Sequence, residues 1–298
     1  MSDFWIILTG CLAAISCGLL GCFLILRKMA MIGDAISHAV LPGIVIAFLF
    51  SGSLGSLPML IGAASFGLIT TYLIETFNKK GGLQNDASIG ITFTWLFAIG
   101  VILISLYADN VHIDQDCVLF GEIAYVALEP LVSIIPGIVA PHTVWVLGIV
   151  MLLIIAMIIV GYKGLLLTTF DPSFAASIGV STVVWHYLLM SAVSVTTVVS
   201  FESVGAILVV ALLIAPAATA YLLTDQLPKM LVIAALVGVI ASYGGYYLAV
   251  WLDASVAAAI STVLGFEFTL VFLIAPQNGV LVKRFRKVRI QKSGLKKK

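Results

Sequence analysis

Runs of about 20 apolar residues recur from one end of this chain to the other. A helix needs about 20 such residues to cross a bilayer, whereas the strands of a transmembrane β-barrel alternate apolar and polar residues. Charged residues make up only 10% of the 298 residues, and 62% are hydrophobic. A soluble fold could not bury that much apolar surface at this length. The sequence therefore predicts an all-α, polytopic membrane helical bundle, and it excludes a soluble enzyme.

Nine segments are long and apolar enough to be membrane-spanning helices. We expect a transmembrane domain over residues 1–282, followed by a basic tail over 283–298. The stretch 108–141 is too polar for a clean span, so a half-helix or an external cap is predicted there. The nine predicted spans cover approximately 4–26, 32–50, 55–77, 86–107, 142–161, 183–200, 204–223, 230–251 and 266–282.

Basic residues predict the orientation of these spans. Lys and Arg follow the first, third, fifth, seventh and ninth spans, and the four intervening loops contain none (51–54, 108–141, 201–203 and 252–265). Since basic loops stay in the cytoplasm, the N-terminus is predicted outside and the C-terminus inside the cytoplasmic membrane. The basic tail is expected to contact anionic membrane lipid, and a net charge of only +1 gives no reason to expect a nucleic-acid partner.

Two ionisable residues lie inside the second apolar run. Asp34 and His38 are four residues apart and therefore share one helix face. Counting about 1.5 Å per residue from Arg27, His38 lies ~16 Å deep, near the middle of the bilayer. A carboxylate and an imidazole on adjacent turns are suitable ligands for Mn²⁺, Fe²⁺ or Zn²⁺. A structural Asp–His hydrogen bond between helices and a proton relay use the same residue types, and both remain open.

Further acidic residues are predicted on the outer side. Glu202 is placed at the tip of the hairpin between the sixth and seventh spans, and Glu267 at the outer start of the ninth. Either could face an external funnel for cations and act as a further candidate metal ligand, or could simply be solvated. Asp114, Asp116 and Glu122 form an acidic external patch that could concentrate cations at an entrance, with a solvated loop as the alternative.

A short cytoplasmic helix is predicted near residues 170–180. Asp171 followed by Pro172 is a typical helix start, and Gly179 is a natural stop. Such a helix could dock in a groove of a partner protein, or it could serve only as a connector.

Three segments together resemble one family. The stretch from Arg27 to Gly43, which reads RKMAMIGDAISHAVLPG, is similar to the signature of the ABC-importer permeases that carry manganese, zinc or iron(II). The Asp171-Pro172-x-x-Ala175-x-x-x-Gly179 segment resembles their cytoplasmic coupling helix. The segment from Val204 to Ala217 resembles a later span of the same family.

This resemblance implies a type II-like ABC importer permease, which is a transport subunit with neither catalytic residues nor a permanently bound cofactor. Two copies would form the pore, and two cytoplasmic ATPase subunits would hydrolyse ATP below it. An extracytoplasmic metal-binding protein would deliver the ion to Asp34 and His38. Manganese is slightly preferred over zinc and iron(II). Asp171, Pro172, Ala175 and Gly179 would couple the permease to the ATPase, while Pro42 and Pro216 are predicted kinks about which the spans shift.

Three other functions are alternatives to this one. A proton-coupled secondary metal transporter could use the same Asp–His pair, but no convincing internal repeat supports it. An intramembrane metalloprotease would be expected to carry an H-E-x-x-H motif, which the sequence lacks. A permease for a metal chelate needs a wide cavity, whereas Asp34 and His38 are ligands for a bare ion.

Overall fold

Membrane-length helices dominate the computed structural model, which describes residues 2–51, 56–107, 123–135 and 138–275. Within those ranges, nine helices have the length and composition needed to cross a membrane. They are α1 (Ser2–Leu26), α2 (Ile32–Ser51), α3 (Ser56–Lys79), α4 (Asn85–Tyr107), α5 (His142–Phe170), α7 (Thr182–Val204), α8 (Ala206–Leu223), α9 (Leu227–Leu252) and α10 (Val256–Ile274). The short helix α6 (Pro172–Ser177) lies between α5 and α7.

Two of the predicted spans were placed wrongly. The fifth, predicted over 142–161, continues for 29 residues as far as Phe170. The ninth, predicted over 266–282, begins at Val256 and ends at Ile274. In both cases the helix includes small residues that are poor helix formers or only weakly apolar, at Gly161 and in the Ala-rich stretch after Asp253. Since neighbouring helices supply the packing, neither feature interrupts a membrane helix.

Small residues bring α1 into close contact with its neighbours. Gly10, Ala14 and Gly18 recur every four residues on one face of α1 and meet Ser242, Gly238 and Ala234 of α9 in antiparallel order. Farther along α1, Gly21 faces the backbone carbonyl of Leu213 in α8 so closely that a β-carbon could not fit. Such small-residue contacts hold membrane helices together where the hydrophobic effect cannot. They place α1 in the centre of the bundle.

Alternating helix directions give the bundle two distinct ends. We call the end with turns 27–31, 80–84 and 171–181 the basic end, because Arg27, Lys28 and Lys80 lie there. At the opposite end, Ile123–Leu128 forms a 3-10 helix, and β1 (Leu131–Ile135) pairs antiparallel with β2 (Ile138–Pro141). The described part of 108–141 is therefore a cap of two 3-10 turns and a hairpin, and not the half-helix that the sequence also allowed.

A single residue separates α7 from α8. The sequence predicted a loop at 201–203, but these residues continue α7, and the helix ends only at Gly205. Gly205 has φ 81° and ψ 161°, a conformation open essentially to glycine alone. The reversal of chain direction at Gly205 therefore requires glycine, the residue type without a β-carbon. Glu202 lies on the last turn of α7, just before this reversal.

Candidate metal-ion site

Asp34 and His38 form a contact pair on α2, as their spacing predicts. The predicted depth was wrong, because residues 27–31 form a turn and His38 lies only about 9 Å along α2 from Ile32. The Nε2 atom of His38 is 3.5 Å from Oδ1 of Asp34, and the two side chains are 31% and 28% exposed, respectively. Residues on either side of them are buried, including Gly33, Ala35, Ser37 and Ala39. The helix thus packs on most of its surface and leaves the carboxylate and the imidazole on the accessible face.

Aromatic rings of α4 flank the imidazole. The ring centroids of Phe93 and Phe97 lie 5.8 and 5.7 Å from that of His38. This packing restricts the rotation of the imidazole and lowers the polarity of its surroundings. A divalent cation held here would replace part of its hydration shell with one carboxylate oxygen and one ring nitrogen.

One chain supplies too few ligands for a closed site. Among the described residues, no group of three or more His, Cys, Asp or Glu side chains is arranged to hold a metal ion. The Asp34–His38 pair therefore offers two ligands, and further ligands would have to come from water, from backbone carbonyls or from another molecule.

Glu202 lines a cavity at the opposite end of the bundle. This cavity has a volume of about 570 Å³ and is also lined by Glu129 and His142. Glu202 interacts electrostatically with both of these residues. Glu129 accepts a hydrogen bond from the backbone N–H of Thr143 at 3.0 Å and thereby caps the start of α5. Sequence patterns could not group Glu129 and His142 with Glu202, because they lie 73 and 60 positions before it in the chain.

Glu267 does not lie at the outer start of a span. It lies inside α10, roughly 17 Å along the helix from Val256 at about 1.5 Å per residue. That distance brings it close to the middle of the bilayer instead of its surface. Its Oε2 atom is buried and has no hydrogen-bond partner. The predicted position was wrong because the ninth span begins at Val256 and not near residue 266.

The short helix at the basic end has the predicted start and stop. The Asp171 carboxylate accepts a hydrogen bond of 2.9 Å from the backbone N–H of Phe174, and Pro172 is the first helical residue. Ala175 is fully buried, so it anchors the helix to the bundle, while Phe174 stays exposed. Gly179 has φ 84° and ends the segment. The result is a short helix of six residues that is buried against the bundle at Ala175 and exposed at Phe174.

Beside α6 lies a polar cluster that the sequence did not reveal. Arg27 donates hydrogen bonds to the hydroxyls of Thr168 and Thr169, at 3.0 and 3.1 Å, and its Nη1 is 3.5 Å from Nδ1 of His186. Burial lowers the pKa of Arg27 to about 10, so it remains charged at neutral pH. A cavity of about 420 Å³ opens next to these groups, and Glu75 also lines it. In the sequence, these contacts are indicated only by the polar residues near the ends of the third and fifth apolar runs.

Several predicted features remain without a structural test. Asp114, Asp116 and Glu122 of the proposed entrance lie outside the described residues, as does the basic tail over 283–298. Pro42 and Pro216 both lie inside continuous helices, α2 and α8, and the kinks expected at them stay predictions.

Comparison with known proteins gives one consistent family. The profile of the ABC 3 transport family matches residues 3–276. A manganese transport system membrane protein, MntD of Bacillus subtilis, is 48% identical over 97% of this chain and 98% of its own length. A zinc transport system membrane protein, TroD of Treponema pallidum, is 41% identical over 93% of this chain and 75% of its own length.

Solved structures agree with these similarities. A chain of PsaBC from Streptococcus pneumoniae, determined in complex with a Fab, superposes with a TM-score of 0.77 at 33% identity, covering 96% of this chain and 94% of that one. An inward-facing putative metal-chelate type ABC transporter gives a TM-score of 0.65 at 17% identity, over 90% of this chain and 84% of that one. The second likeness concerns the fold alone.

Proposed function

Because this chain belongs to the ABC 3 transport family, we propose that it imports a divalent transition metal by ATP-driven alternating access, with manganese as the preferred ion. The chain is a multi-pass membrane permease of the metal ABC-importer type, and its relatives are named for manganese or zinc transport. Iron(II) fits the same ligands and remains a possible cargo.

The observation that carries the proposal is the Asp34–His38 pair. An ionisable residue in a membrane span costs several kcal/mol unless it has a partner or a water-filled path, so such residues usually mark ion pathways. A carboxylate 3.5 Å from an imidazole, both accessible on one face of α2, is a suitable pair of ligands for a passing cation. Two ligands per chain give an open, weak site, which is what transport requires because the ion must also leave.

We infer that two copies of the chain face each other across the ion path. The pair in one copy is incomplete among the described residues, and a second copy would double the ligands to two carboxylates and two imidazoles. This arrangement also places a helix α6 from each copy at the basic end. Two cytoplasmic ATPase subunits would dock there, on Asp171, Pro172, Ala175 and Gly179, and would supply the energy by hydrolysing ATP.

We place the basic end in the cytoplasm and the N-terminus outside, following the distribution of Lys and Arg. An extracytoplasmic metal-binding protein would then deliver the ion to the opposite end of the bundle. Glu202 and the acidic segment with Asp114, Asp116 and Glu122 would attract the ion before it moves inward. Bending at Pro42 and Pro216 would allow the spans to shift between outward- and inward-open states.

The test is metal accumulation in bacteria that lack this chain, complemented with the intact protein, Asp34→Ala or His38→Ala. Manganese, zinc and iron are read together by elemental analysis at matched membrane levels of each variant. We expect manganese to fall in the deletion strain and to be restored only by the intact chain. Asp225→Ala is the matched control, because Asp225 is exposed in the turn between α8 and α9 and lies on neither α2 nor α4.

Two outcomes would contradict the proposal. If both variants restore accumulation fully, the pair is structural and the ion path lies elsewhere. If the intact chain supports uptake in cells without any partner ATPase, a secondary, proton-coupled mechanism replaces the ATP-driven one.

A further inference from the structure

Arg27 contacts both helices that flank α6. Thr168 and Thr169 belong to the last turn of α5, directly before α6, and both accept hydrogen bonds from the Arg27 guanidinium. His186 lies in the second turn of α7, directly after α6, and its Nδ1 is 3.5 Å from Nη1 of Arg27. One side chain therefore bridges the two ends of the α6 segment from the inside of the bundle.

The hydroxyl of Thr168 is oriented to accept the hydrogen bond from Arg27. It donates its own proton to the backbone carbonyl of Gly164 at 2.8 Å, so the oxygen lone pairs are left for Arg27. Thr168 is only 7% exposed, and a hydrogen bond to a charged group in such a place is worth more than one at the surface. The planar guanidinium presents several donors in fixed directions, which a lysine ammonium cannot reproduce.

Arg27 is also firmly tied to the start of α2. It continues the last turn of α1 through a 3.0 Å bond from its N–H to the Phe23 carbonyl. The next residue, Lys28, has φ 59°, and the N–H groups of Lys28 and Met29 bond to Ile25 and Leu24 at 3.0 and 2.9 Å. This compact turn leads directly to Ile32, the first residue of α2. A displacement of Arg27 is therefore passed to the helix that carries Asp34 and His38.

The cluster also contains two buried polar atoms that face each other without forming a hydrogen bond. Nε2 of His186 and Oε2 of Glu75 face each other at 3.9 Å, and both atoms are buried without a hydrogen-bond partner. A relative movement of about 1 Å would bring them within hydrogen-bond distance. The packing of α3 against α7 thus leaves these two buried atoms unpaired, and a small relative movement of the two helices would pair them.

We propose that Arg27 is the positioning residue that transmits movement of α6 to α2, and thereby to the Asp34–His38 pair. This inference rests on the proposed function, because it assigns the route by which ATP hydrolysis at the basic end reaches the ion. When a partner moves α6, the last turn of α5 and the start of α7 move with it. Arg27 follows through Thr168, Thr169 and His186, and it carries the start of α2 along.

The test measures ATP hydrolysis and manganese uptake together, in vesicles that contain this chain with its ATPase and metal-binding protein. The variants are Arg27→Lys, which keeps the charge but not the fork of donors, and Thr169→Val, which removes one acceptor with almost no change of shape. We expect ATP hydrolysis to continue while ions imported per ATP fall roughly two- to thirtyfold, the range that mutations along coupled networks produce.

Two matched variants separate coupling from structure. Thr169→Ser keeps the hydroxyl and is expected to restore the ratio of ions to ATP. Thr182→Val makes the same change in the wall of the same cavity, at a residue that is not among the hydrogen-bond partners of Arg27, and should leave the ratio unchanged.

The outcomes distinguish this inference from the proposed function. If hydrolysis and uptake fall in equal proportion, or if the ratio is unchanged in both variants, Arg27 does not couple the two events. If the intact chain shows no ATP-dependent uptake, the proposed function itself fails, whatever the variants do.

Discussion

Gly43 of α2 lies against Gly62 of α3, and the carbonyl oxygen of each is 2.5 Å from the position that a β-carbon would take on the other. The two backbones therefore touch with no side chain between them. Because Gly43 lies five residues after His38 on the same helix, this contact fixes the helix that carries the candidate ion ligands against its neighbour.

Gly43→Ala is expected to separate α2 from α3 and to lower both stability and manganese uptake. The added methyl group would collide with the Gly62 carbonyl, and overpacking of this kind costs about 1–3 kcal/mol. Thermal unfolding of the purified chain and uptake by complemented cells are the measurements. Gly90→Ala is the control, because nothing lies within 4 Å of a β-carbon at Gly90. Equal behaviour of the two variants would contradict the close contact.

Asp171→Ala is expected to weaken association with the partner ATPase. The change removes the 2.9 Å capping bond to the Phe174 N–H, and loss of such a cap destabilises a helix by about 1 kcal/mol. Because α6 has only six residues, that loss is large for so short an element. Co-purification of the ATPase with the permease measures the effect. Asp171→Ser keeps a capping oxygen and should retain most of the association; if both variants bind fully, the cap does not matter for docking.

Glu202→Gln is expected to raise the manganese concentration needed for half-maximal uptake several-fold, with little change in the maximal rate. The carboxylate lines the cavity with Glu129 and His142, so removing its charge reduces attraction of the cation before it reaches the deeper pair. Uptake measured over a range of manganese concentrations tests this. Asp253→Asn removes one negative charge at the same end of the bundle, in the turn after α9, and serves as the control. A fall in maximal rate alone would argue for a structural role.

Glu267→Gln is expected to stabilise the chain and yet to reduce uptake. The buried Oε2 atom lacks a hydrogen-bond partner, and a carboxylate in the middle of a bilayer is costly, so the neutral amide should raise the unfolding temperature by a few degrees. A carboxylate at this depth in the bilayer is energetically unfavourable, so its presence points to a role in the ion path. Thermal unfolding and uptake are measured side by side, with Thr269→Val on the same helix as the control. Unchanged uptake would remove Glu267 from the candidate ligands.

The fold class and most helix positions could be predicted from sequence, because membrane solvation acts on each segment separately. Any helix of about 20 apolar residues satisfies its own backbone hydrogen bonds and is stable in lipid before it meets a neighbour. The pair of Asp34 and His38 could be recognised for the same reason, since two residues four apart share a helix face in any packing. The cap at Asp171 also depends on residues only three positions apart.

The sequence alone could not place Glu267, Arg27 or the cavity at Glu202. The start of α10 depends on its packing against α9, where Gly245 meets Ile260, and composition does not reveal that contact. Arg27 and Thr168 are 141 positions apart, and Glu202 meets Glu129 only after α5 and α7 come together. Local hydropathy and helix geometry act within one segment, and they therefore determined the membrane helices and the ion pair. Tertiary packing alone decided which distant polar groups became neighbours, because those contacts exist only once several helices have assembled.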